Sequence, residues 1–309
     1  MKVIIVGLGV QGYKRLEHAG GDVVATVDTV NPEADYRSLQ DVPLAQYDSA
    51  LLCVPDKPKA GLLSYLLSNG KHALVEKPLW SENDREILDL EILARENKVV
   101  CYTAYNHRFE PHFVKMRKLV RSGELGEIYS CRMFYGNGTA RLVRDSVWRD
   151  EGAGVLPDLG SHLLDTAVFW FGNLNEPFEI LSADCFENNS PDHVVIGSKG
   201  TKPRIELEMT LLMWRNHFTC DILAEKGSAH ISSLCKWGPA TFIKRTRVLP
   251  SGLPKEDVET LHKPDPTWKL EYEHFTALCN GGHVTDLSHD LWLQQTLHAM
   301  SGDVTGITG

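Results

Sequence analysis

Three side chains, Asp158, His162 and Asp165, stand at spacings that suit proton transfer. If the segment 154–172 forms a helix, intervals of four and three residues place all three on one face. The ordinary pKa of imidazole lies near neutral pH, so we expect His162 to act as a general base. Asp158 would then orient the imidazole or a substrate hydroxyl. The alternative is a polar helix stripe that faces water, and the spacing fits both interpretations.

The neighbouring residues predict how this set is held. Pro157 suits the first position of a helix, because its missing N–H would have no partner there. The apolar run that begins at Leu163 would pack against a sheet, and Gly172 would end the helix. We therefore expect the polar side chains to be carried on a rigid element.

A second set of residues, near the N-terminus, suits nucleotide binding. Gly7 permits a tight turn, Gly9 lets the backbone approach a pyrophosphate, and Gly12 lets helix and strand pack closely. The N–H groups at the start of the following helix would bind the phosphates. The predicted contacts of this turn are Gly7, Gly9, Val10, Gln11 and Gly12. The alternative is a glycine turn in an α/β protein that binds no nucleotide.

Asp28 indicates which cofactor this turn would serve. It ends a second apolar strand about twenty residues after the first glycine, where a ribose-binding carboxylate is expected. A carboxylate there accepts hydrogen bonds from the 2′-hydroxyl and repels a 2′-phosphate. No arginine follows directly. The sequence therefore predicts NAD in preference to NADP.

Apolar strands alternate with helical patterns through the first hundred or so residues. The predicted strands are 2–6, 22–28, 49–54, 72–75 and 99–102. This alternation predicts an α/β fold with a doubly wound parallel sheet, in which ligands bind at the carboxyl ends of the strands. That rule selects as further cofactor contacts Val54, Pro55, Glu76, Lys77 and Asn106.

The remainder of the chain favours an antiparallel sheet. Segments with two-residue alternation are 127–135, 178–183, 193–196, 204–211 and 216–222, with helical patterns at 268–279 and 287–300. We predict a nucleotide-binding domain at 1–105 and an α+β domain for substrate binding and oligomerisation at 106–309. We expect an open sheet face that forms a homodimer or homotetramer and carries the apolar residues Met209, Leu211, Met213 and Trp214.

Composition excludes several classes of protein. The 309 residues carry a net charge of −9, which argues against nucleic-acid binding. No apolar run approaches the length of a membrane span, and the N-terminal apolar run is too short for a signal peptide. The seven cysteines lack paired spacing, which favours reduced thiols in the cytoplasm. The histidines do not cluster at ligand spacing beyond Asp158 and His162, so no metal is predicted.

Five motifs in order resemble one known family. They are Gly-Leu-Gly-Val-Gln-Gly at 7–12, Glu-Lys-Pro at 76–78, Tyr-Asn-His-Arg-Phe at 105–109, Trp-Arg-Asp at 148–150 and the glycine-rich segment 152–165. This order is similar to that of the glucose-fructose oxidoreductase, inositol dehydrogenase and rhizopine catabolism (Gfo/Idh/MocA) family, over the chain to about Gly172.

The resemblance implies a fold and an activity. It implies an N-terminal Rossmann domain and a C-terminal α+β domain with a large open, mostly antiparallel sheet. It also implies nicotinamide-dependent oxidation or reduction of sugars, cyclitols or nucleotide sugars, with Lys77 donating to the reacting oxygen. His162 stands where glucose-fructose oxidoreductase-like members carry Tyr, which is closer to the inositol and nucleotide-sugar dehydrogenases.

The positions of the arginines indicate which class of substrate to expect. The residues expected to contact the substrate are Arg108, Tyr135, Arg149 and Asp165. We place Arg141 and Arg144 on a loop that could meet an anionic substrate. On this basis we expect an NAD-dependent dehydrogenase or reductase of a sugar, preferably a nucleotide sugar. The alternatives are an inositol or simple-sugar dehydrogenase, plain surface arginines, or an NAD-binding regulator without catalysis.

Overall fold

The structure is a computed structural model that describes residues 1–146, 149–174, 176–200 and 202–307. Residue contacts divide the chain into two units. Unit 1 comprises Met1–Asn106 and Thr267–Gln295, and unit 2 comprises His107–Pro266 and the chain from Thr296 onwards. The contacts thus assign Thr267–Gln295 to unit 1, which differs from a simple division after residue 105.

The secondary structure has the following bounds. Strands β1 to β13 are Val3–Val6, Val23–Val27, Ser49–Leu52, His72–Glu76, Cys101–Ala104, Ile128–Gly136, Phe178–Asp184, His193–Ser198, Arg204–Thr210, His217–Ala224, Gly227–Ser232, Ala240–Thr246 and Lys255–Leu261. Helices α1 to α8 are Val10–Ala19, Asp56–Ser68, Asp84–Glu96, Pro111–Ser122, Ala140–Arg144, Ser161–Phe171, Thr267–Asn280 and Ser288–Ile307.

Unit 1 contains the predicted parallel sheet. Among the described residues it has five strands in the order β2-β1-β3-β4-β5, and every neighbouring pair is parallel. Alternate residues of β1 enter two different cores, Ile4 on one face and Ile5 on the other. Burial on both faces explains why these strands are continuously apolar. The strand order reverses beside β1, which is where α/β sheets of this kind bind ligands.

Unit 2 contains the open sheet. Its described strands run β13-β12-β11-β10-β6-β9-β8-β7, and all neighbours are antiparallel except β6 and β9. The predicted fold class is therefore confirmed. The pattern did not reveal β11, β12 or β13, and β13 is exposed along nearly its whole length, so it lacks an alternating apolar face.

Helix α6 lies on the inner face of this sheet, and its entry differs from the prediction. Residues Leu156–Gly160 form a π-helical turn before α6 begins at Ser161. A Cβ added at Gly160 would lie 2.9 Å from the Sδ of Met209. Met209 and Leu211 are buried, so their assignment to an open face is wrong, whereas Trp214 is fully exposed. The predicted alternation of β9 is present, but Met209 lies on the buried face of the sheet and not on the open face.

Two negative findings concern the described ranges. None of the helices there combines the length and the apolar composition that crossing a membrane requires. In the same ranges, no three His, Cys, Asp or Glu side chains are grouped so that they could hold a metal ion.

Candidate functional site

The glycine turn after β1 has the shape that a dinucleotide needs. Gly7 has a φ of +93°, and a Cβ there would lie 2.4 Å from the carbonyl oxygen of Cys53. A Cβ at Gly12 would lie 1.9 Å from the carbonyl oxygen of Gly7. At Gly9, by contrast, a Cβ would meet no described atom within 4 Å. The turn is thus closed towards the sheet and open where a pyrophosphate would approach.

Other predicted cofactor residues lie at the carboxyl ends of the parallel strands, where ligands are expected to bind. Val10 and Gln11 begin α1, whose first N–H groups have no partner within the helix. Val54 and Pro55 follow β3, the neighbour of β1. This end of the sheet can bind phosphate groups through backbone N–H groups and the positive end of the helix dipole.

The carboxylate of Asp28 accepts three backbone hydrogen bonds. Oδ2 accepts from the N–H of Leu8 at 2.7 Å, and Oδ1 accepts from those of Val30 and Asn31 at 2.8 Å each. Partial burial opposes ionisation of Asp28, but these hydrogen bonds and Arg37 lower its pKa below the ordinary value. Asp28 is therefore a fixed anion beside the glycine turn.

Arg37 was not anticipated at this position. Its Nη1 donates to the carbonyl oxygen of Asn31 at 2.6 Å and lies 3.4 Å from that of Asp28. The side chain is exposed, and its guanidinium could meet an anionic group beside Asp28. The sequence did not indicate that Arg37 lies beside Asp28, because nine residues separate them.

Glu76, at the end of β4, is engaged within unit 1. Its Oε1 accepts from the Nε of Arg15 at 2.8 Å, and the Nη2 of Arg15 lies 2.7 Å from Oε2 of Glu271. The guanidinium of Arg15 also lies 4.4 Å from the centre of the Trp268 ring. Arg15 is 1% exposed, so this ion-paired group joins α1, β4 and α7 in the core.

Two further predicted cofactor residues follow β4 and β5. Lys77 comes directly after Glu76 and is half-buried. Asn106 is buried, and its amide donates to the hydroxyl of Thr267 at 3.0 Å. The cofactor contacts predicted for both residues stay predictions.

In unit 2, His162 belongs to a cluster of aromatic and basic side chains. Its imidazole stacks on that of His107, with ring centres 4.1 Å apart and planes at 20°. Tyr135 lies against both rings, at 5.8 Å from His162 and 5.5 Å from His107. The Nζ of Lys236 is 3.0 Å from Nε2 of His107 and 4.5 Å from the centre of the Trp237 ring.

The charges around this cluster favour particular proton positions. Burial and the negative charge of Asp158 raise the pKa of Tyr135 well above its ordinary value, so its hydroxyl keeps its proton. Nε2 of His107 lies 3.0 Å from the Nζ of Lys236, and an ammonium can only donate. This contact fits the tautomer of His107 that carries its proton on Nδ1.

Arg108 and Asp165, two predicted substrate residues, are paired with each other. The Nε of Arg108 lies 3.0 Å and 3.2 Å from the two oxygens of Asp165, and Nη2 contacts the same carboxylate. Asp165 is 1% exposed. The pair fastens the segment after His107 to α6, and its role towards substrate stays a prediction.

The remaining arginines are placed differently from one another. Arg141 and Arg144 lie on the short helix α5 and not on a loop, which corrects the prediction, and both are exposed. Arg141 lies 3.8 Å from Glu187. Arg149 is half-buried, and Trp148 lies outside the described residues.

Asp150, the residue after Arg149, binds a distant segment of the chain. Its carboxylate accepts hydrogen bonds from the backbone and side chains of Asn189 and Ser190, at 2.8 to 3.1 Å. Partial burial raises the pKa of Asp150, but these hydrogen bonds outweigh it and the pKa is lowered.

Three members of the cluster were missed as site residues. His107 was visible inside the Asn-His-Arg-Phe motif but was not singled out. Lys236 and Trp237 lie on a 3₁₀-helical turn, Cys235–Trp237, far along the chain from His162. Nothing in their local sequence marks them, because only the sheet brings them near the histidines.

Comparison with known proteins finds similarity to one family. Residues 113–230, all within unit 2, match a sequence model described as the GFO/IDH/MocA C-terminal domain. The relatives and solved structures that resemble the chain include inositol dehydrogenases. The resemblance drawn from the five motifs is therefore confirmed.

The similar proteins match this chain over different lengths. Inositol 2-dehydrogenase of Rhizobium meliloti is 27% identical over 162 residues, which are 52% of this chain and 44% of that protein. The chain thus spans less than half of this relative. A crystal structure from Desulfitobacterium hafniense has a TM-score of 0.86 at 16% identity, covering 99% of this chain and 96% of the other. Levoglucosan dehydrogenase in complex with NADH has a TM-score of 0.80 at 17% identity, covering 99% and 97%.

Proposed function

We propose that this protein is an NAD-dependent oxidoreductase that acts on a secondary hydroxyl of a neutral cyclic polyol. The observation that carries the proposal is the stack of His107 on His162 with Lys236 bonded to His107. The proposed catalytic residues are Lys77, Asp158 and His162.

The stack supports the proposal that His162 takes the hydroxyl proton. Two imidazoles 4.1 Å apart repel each other when both are charged, so the pair carries one extra proton at most at neutral pH. Nε2 of His107 contacts the Nζ of Lys236 at 3.0 Å. In our proposal His162 accepts the proton from the substrate as the carbinol is oxidised. Tyr135, protonated and beside it, can donate a hydrogen bond to a polyol hydroxyl.

The residues of unit 1 fit the nicotinamide cofactor. Gly7 and Gly12 admit no side chain, Gly9 faces open space, and Asp28 presents a fixed carboxylate. When bound, NAD supplies the hydride acceptor. The negative charge of Asp28 supports NAD over NADP. In our proposal Lys77 donates to the substrate oxygen and stabilises its developing negative charge, a role taken from the family resemblance.

The contacts of the arginines favour a neutral substrate. The nucleotide-sugar prediction depended on a positive cluster, but Arg108 is neutralised by Asp165 and Arg141 lies beside Glu187. The relatives named inositol dehydrogenase and levoglucosan dehydrogenase act on neutral cyclic compounds. A ring with several hydroxyl groups and an apolar face also suits the aromatic surface of Tyr135 and Trp237.

We also propose that the outer sheet face forms a homo-oligomer. It carries the exposed apolar residues Leu181, Leu223 and Val258 among polar neighbours. Exposed apolar residues of this kind favour association. Light scattering of the wild type and of Leu223→Asp tests this, and a monomeric wild type contradicts it.

The substrate proposal is tested by steady-state kinetics. We would compare kcat/KM for inositols, levoglucosan and a nucleotide sugar, each with NAD, at low and at moderate salt. We expect the neutral polyols to be the better substrates, with no salt dependence. Preferential, salt-sensitive use of the nucleotide sugar contradicts the substrate class. Binding of NAD without turnover of any of these compounds favours a regulator.

A further inference from the structure

We propose that Lys59 is a positioning residue, which fixes the Glu76-Lys77-Pro78 turn so that Lys77 is presented for catalysis. The inference rests on the proposed function for the role of Lys77. The fixing of the turn itself rests on contacts within unit 1.

Lys59 reaches the turn from α2. Its Nζ donates to the carbonyl oxygen of Pro78 at 2.7 Å and to Oδ1 of Asp56 at 2.7 Å. The side chain is 2% exposed, and Pro78 is buried with it. The bond therefore joins the start of α2 to the residue that directly follows Lys77.

A buried ammonium at this position needs an explanation. Removing a charged group from water is costly, and a methionine would fill the same space without that cost. Burial lowers the pKa of Lys59, and the positive charge of Lys77 acts in the same direction, whereas Asp56 and Glu76 oppose it. A methionine would leave both the Asp56 carboxylate and the Pro78 carbonyl without this donor, but the Asp56 side chain is 49% exposed and can be hydrated by water. The hydrogen bond to the buried carbonyl of Pro78 is therefore the contact that water would not replace.

The other flank of Lys77 is held in a similar way. Glu76 accepts from Arg15, which is buried and also paired with Glu271. Arg15 of α1 thus binds the residue before Lys77, and Lys59 of α2 binds the residue after it. The backbone of Lys77 is held from both sides, while its own side chain remains half-buried. Such support matters because a misplacement of about 1 Å can reduce a rate by about 10²-fold.

The structural part is tested by hydrogen exchange of Lys59→Met, which keeps the length of the side chain and removes the donor. We expect the amide hydrogens of Lys77, Leu79 and Trp80 to exchange about tenfold faster or more, as local opening becomes easier. Strand β10 in unit 2 should exchange as in the wild type. Lys57→Met, two residues before Lys59 in α2 and exposed, is the matched control and should change neither segment. If Lys59→Met does not fold, Lys59→Gln, which is too short to reach Pro78, replaces it.

The catalytic part is tested by a double-mutant cycle on kcat with NAD and the best polyol substrate. We expect Lys59→Met to lower kcat about tenfold or more, with the Kd of NAD changed less than about twofold. In the Lys77→Met background, Lys59→Met should cause no further loss, because it acts through Lys77. An unaltered exchange rate at 77–80 overturns the proposal, and so does a loss of kcat that is additive with Lys77→Met.

These outcomes are separable from those of the proposed function. If no polyol is turned over, the proposed function fails, while the exchange experiment still decides whether Lys59 holds the turn. If polyols are oxidised and Lys59→Met retains full kcat, the proposed function stands and the positioning role is refuted.

Discussion

Replacement of Asp28 by alanine should shift cofactor preference towards NADP. The carboxylate of Asp28 is fixed by the N–H groups of Leu8, Val30 and Asn31. A carboxylate can accept about four hydrogen bonds, so it retains capacity for a ribose hydroxyl. The 2′-phosphate of NADP would occupy the same position and would meet a negative charge that the surrounding N–H groups hold in place.

The size of the shift follows from Coulomb's law. A carboxylate and a phosphate of charge about −2, about 4 Å apart, repel by about 2 kcal/mol at the dielectric constant of water. This energy corresponds to about a thirtyfold change in the ratio of the two dissociation constants. Arg37 adds to the effect, because its exposed guanidinium can then pair with the phosphate.

Fluorescence titration with NAD and NADP measures both dissociation constants. We expect the ratio to move about thirtyfold towards NADP in Asp28→Ala, and Arg37→Met in that background to weaken NADP by about tenfold. Thermal unfolding serves as the control, because Asp28→Ala also removes three backbone hydrogen bonds. A folded Asp28→Ala variant whose ratio moves by less than about threefold would refute the assignment of Asp28 to the ribose.

Three other predictions concern the proposed catalytic residues, the ion pairs of Arg15 in unit 1 and the buried His112 in unit 2. Lys77→Ala and His162→Ala should lower kcat by about 10²–10⁴-fold while NAD still binds, and a variant that keeps more than about a tenth of kcat contradicts its assignment. Arg15→Met should lower the free energy of unfolding by about 3–5 kcal/mol at neutral pH, because it removes the cation that pairs with the buried Glu271 and the half-buried Glu76. In urea titrations Glu271→Gln should restore part of that loss, and an undiminished loss would count against the ion-paired core. Burial lowers the pKa of His112 below its ordinary value, so the unfolded chain binds the proton first and stability falls as pH drops below about 6.5. Urea unfolding between neutral and mildly acidic pH should show a weaker decline for His112→Gln, and an equal decline argues against a neutral buried His112.

The sheet of unit 1 could be predicted from the sequence because its physical requirements are local. Strands buried on both faces are continuously apolar, and the glycine turn needs residues without a Cβ at Gly7 and Gly12. The rule for the carboxyl ends of parallel strands then indicated where Glu76 and Lys77 lie. It could not indicate the partners of Glu76, because Arg15 and Glu271 come from distant segments of the chain.

The cluster of unit 2 was predicted only in part, because it depends on long-range pairing. The strand β6 places Tyr135 beside His162, while Lys236 and Trp237 arrive on a turn that no sequence motif marks. The phase of the alternation in β9 decided that Met209 faces α6, and a period of two alone cannot fix which face is inward.

The prediction of helical spacing was affected by a local irregularity. The π-helical turn Leu156–Gly160 precedes α6, so Asp158 and His162 do not share one regular helix. Their side chains nevertheless both act on Tyr135, Asp158 through its charge and His162 through its ring. Turns of this kind have no distinctive sequence pattern, although they are frequent at functional sites.

Transfer of deuterium from substrate to cofactor tests the central claim most directly. Wild-type protein would be incubated with NAD and a panel of cyclic polyols deuterated on their ring carbons, and the recovered cofactor would be analysed by mass spectrometry. We expect NADH that carries one deuterium from at least one polyol, and no such product with His162→Ala under the same conditions. Recovery of NAD without any NADH, from wild-type protein that binds the cofactor, would contradict the proposed oxidoreductase.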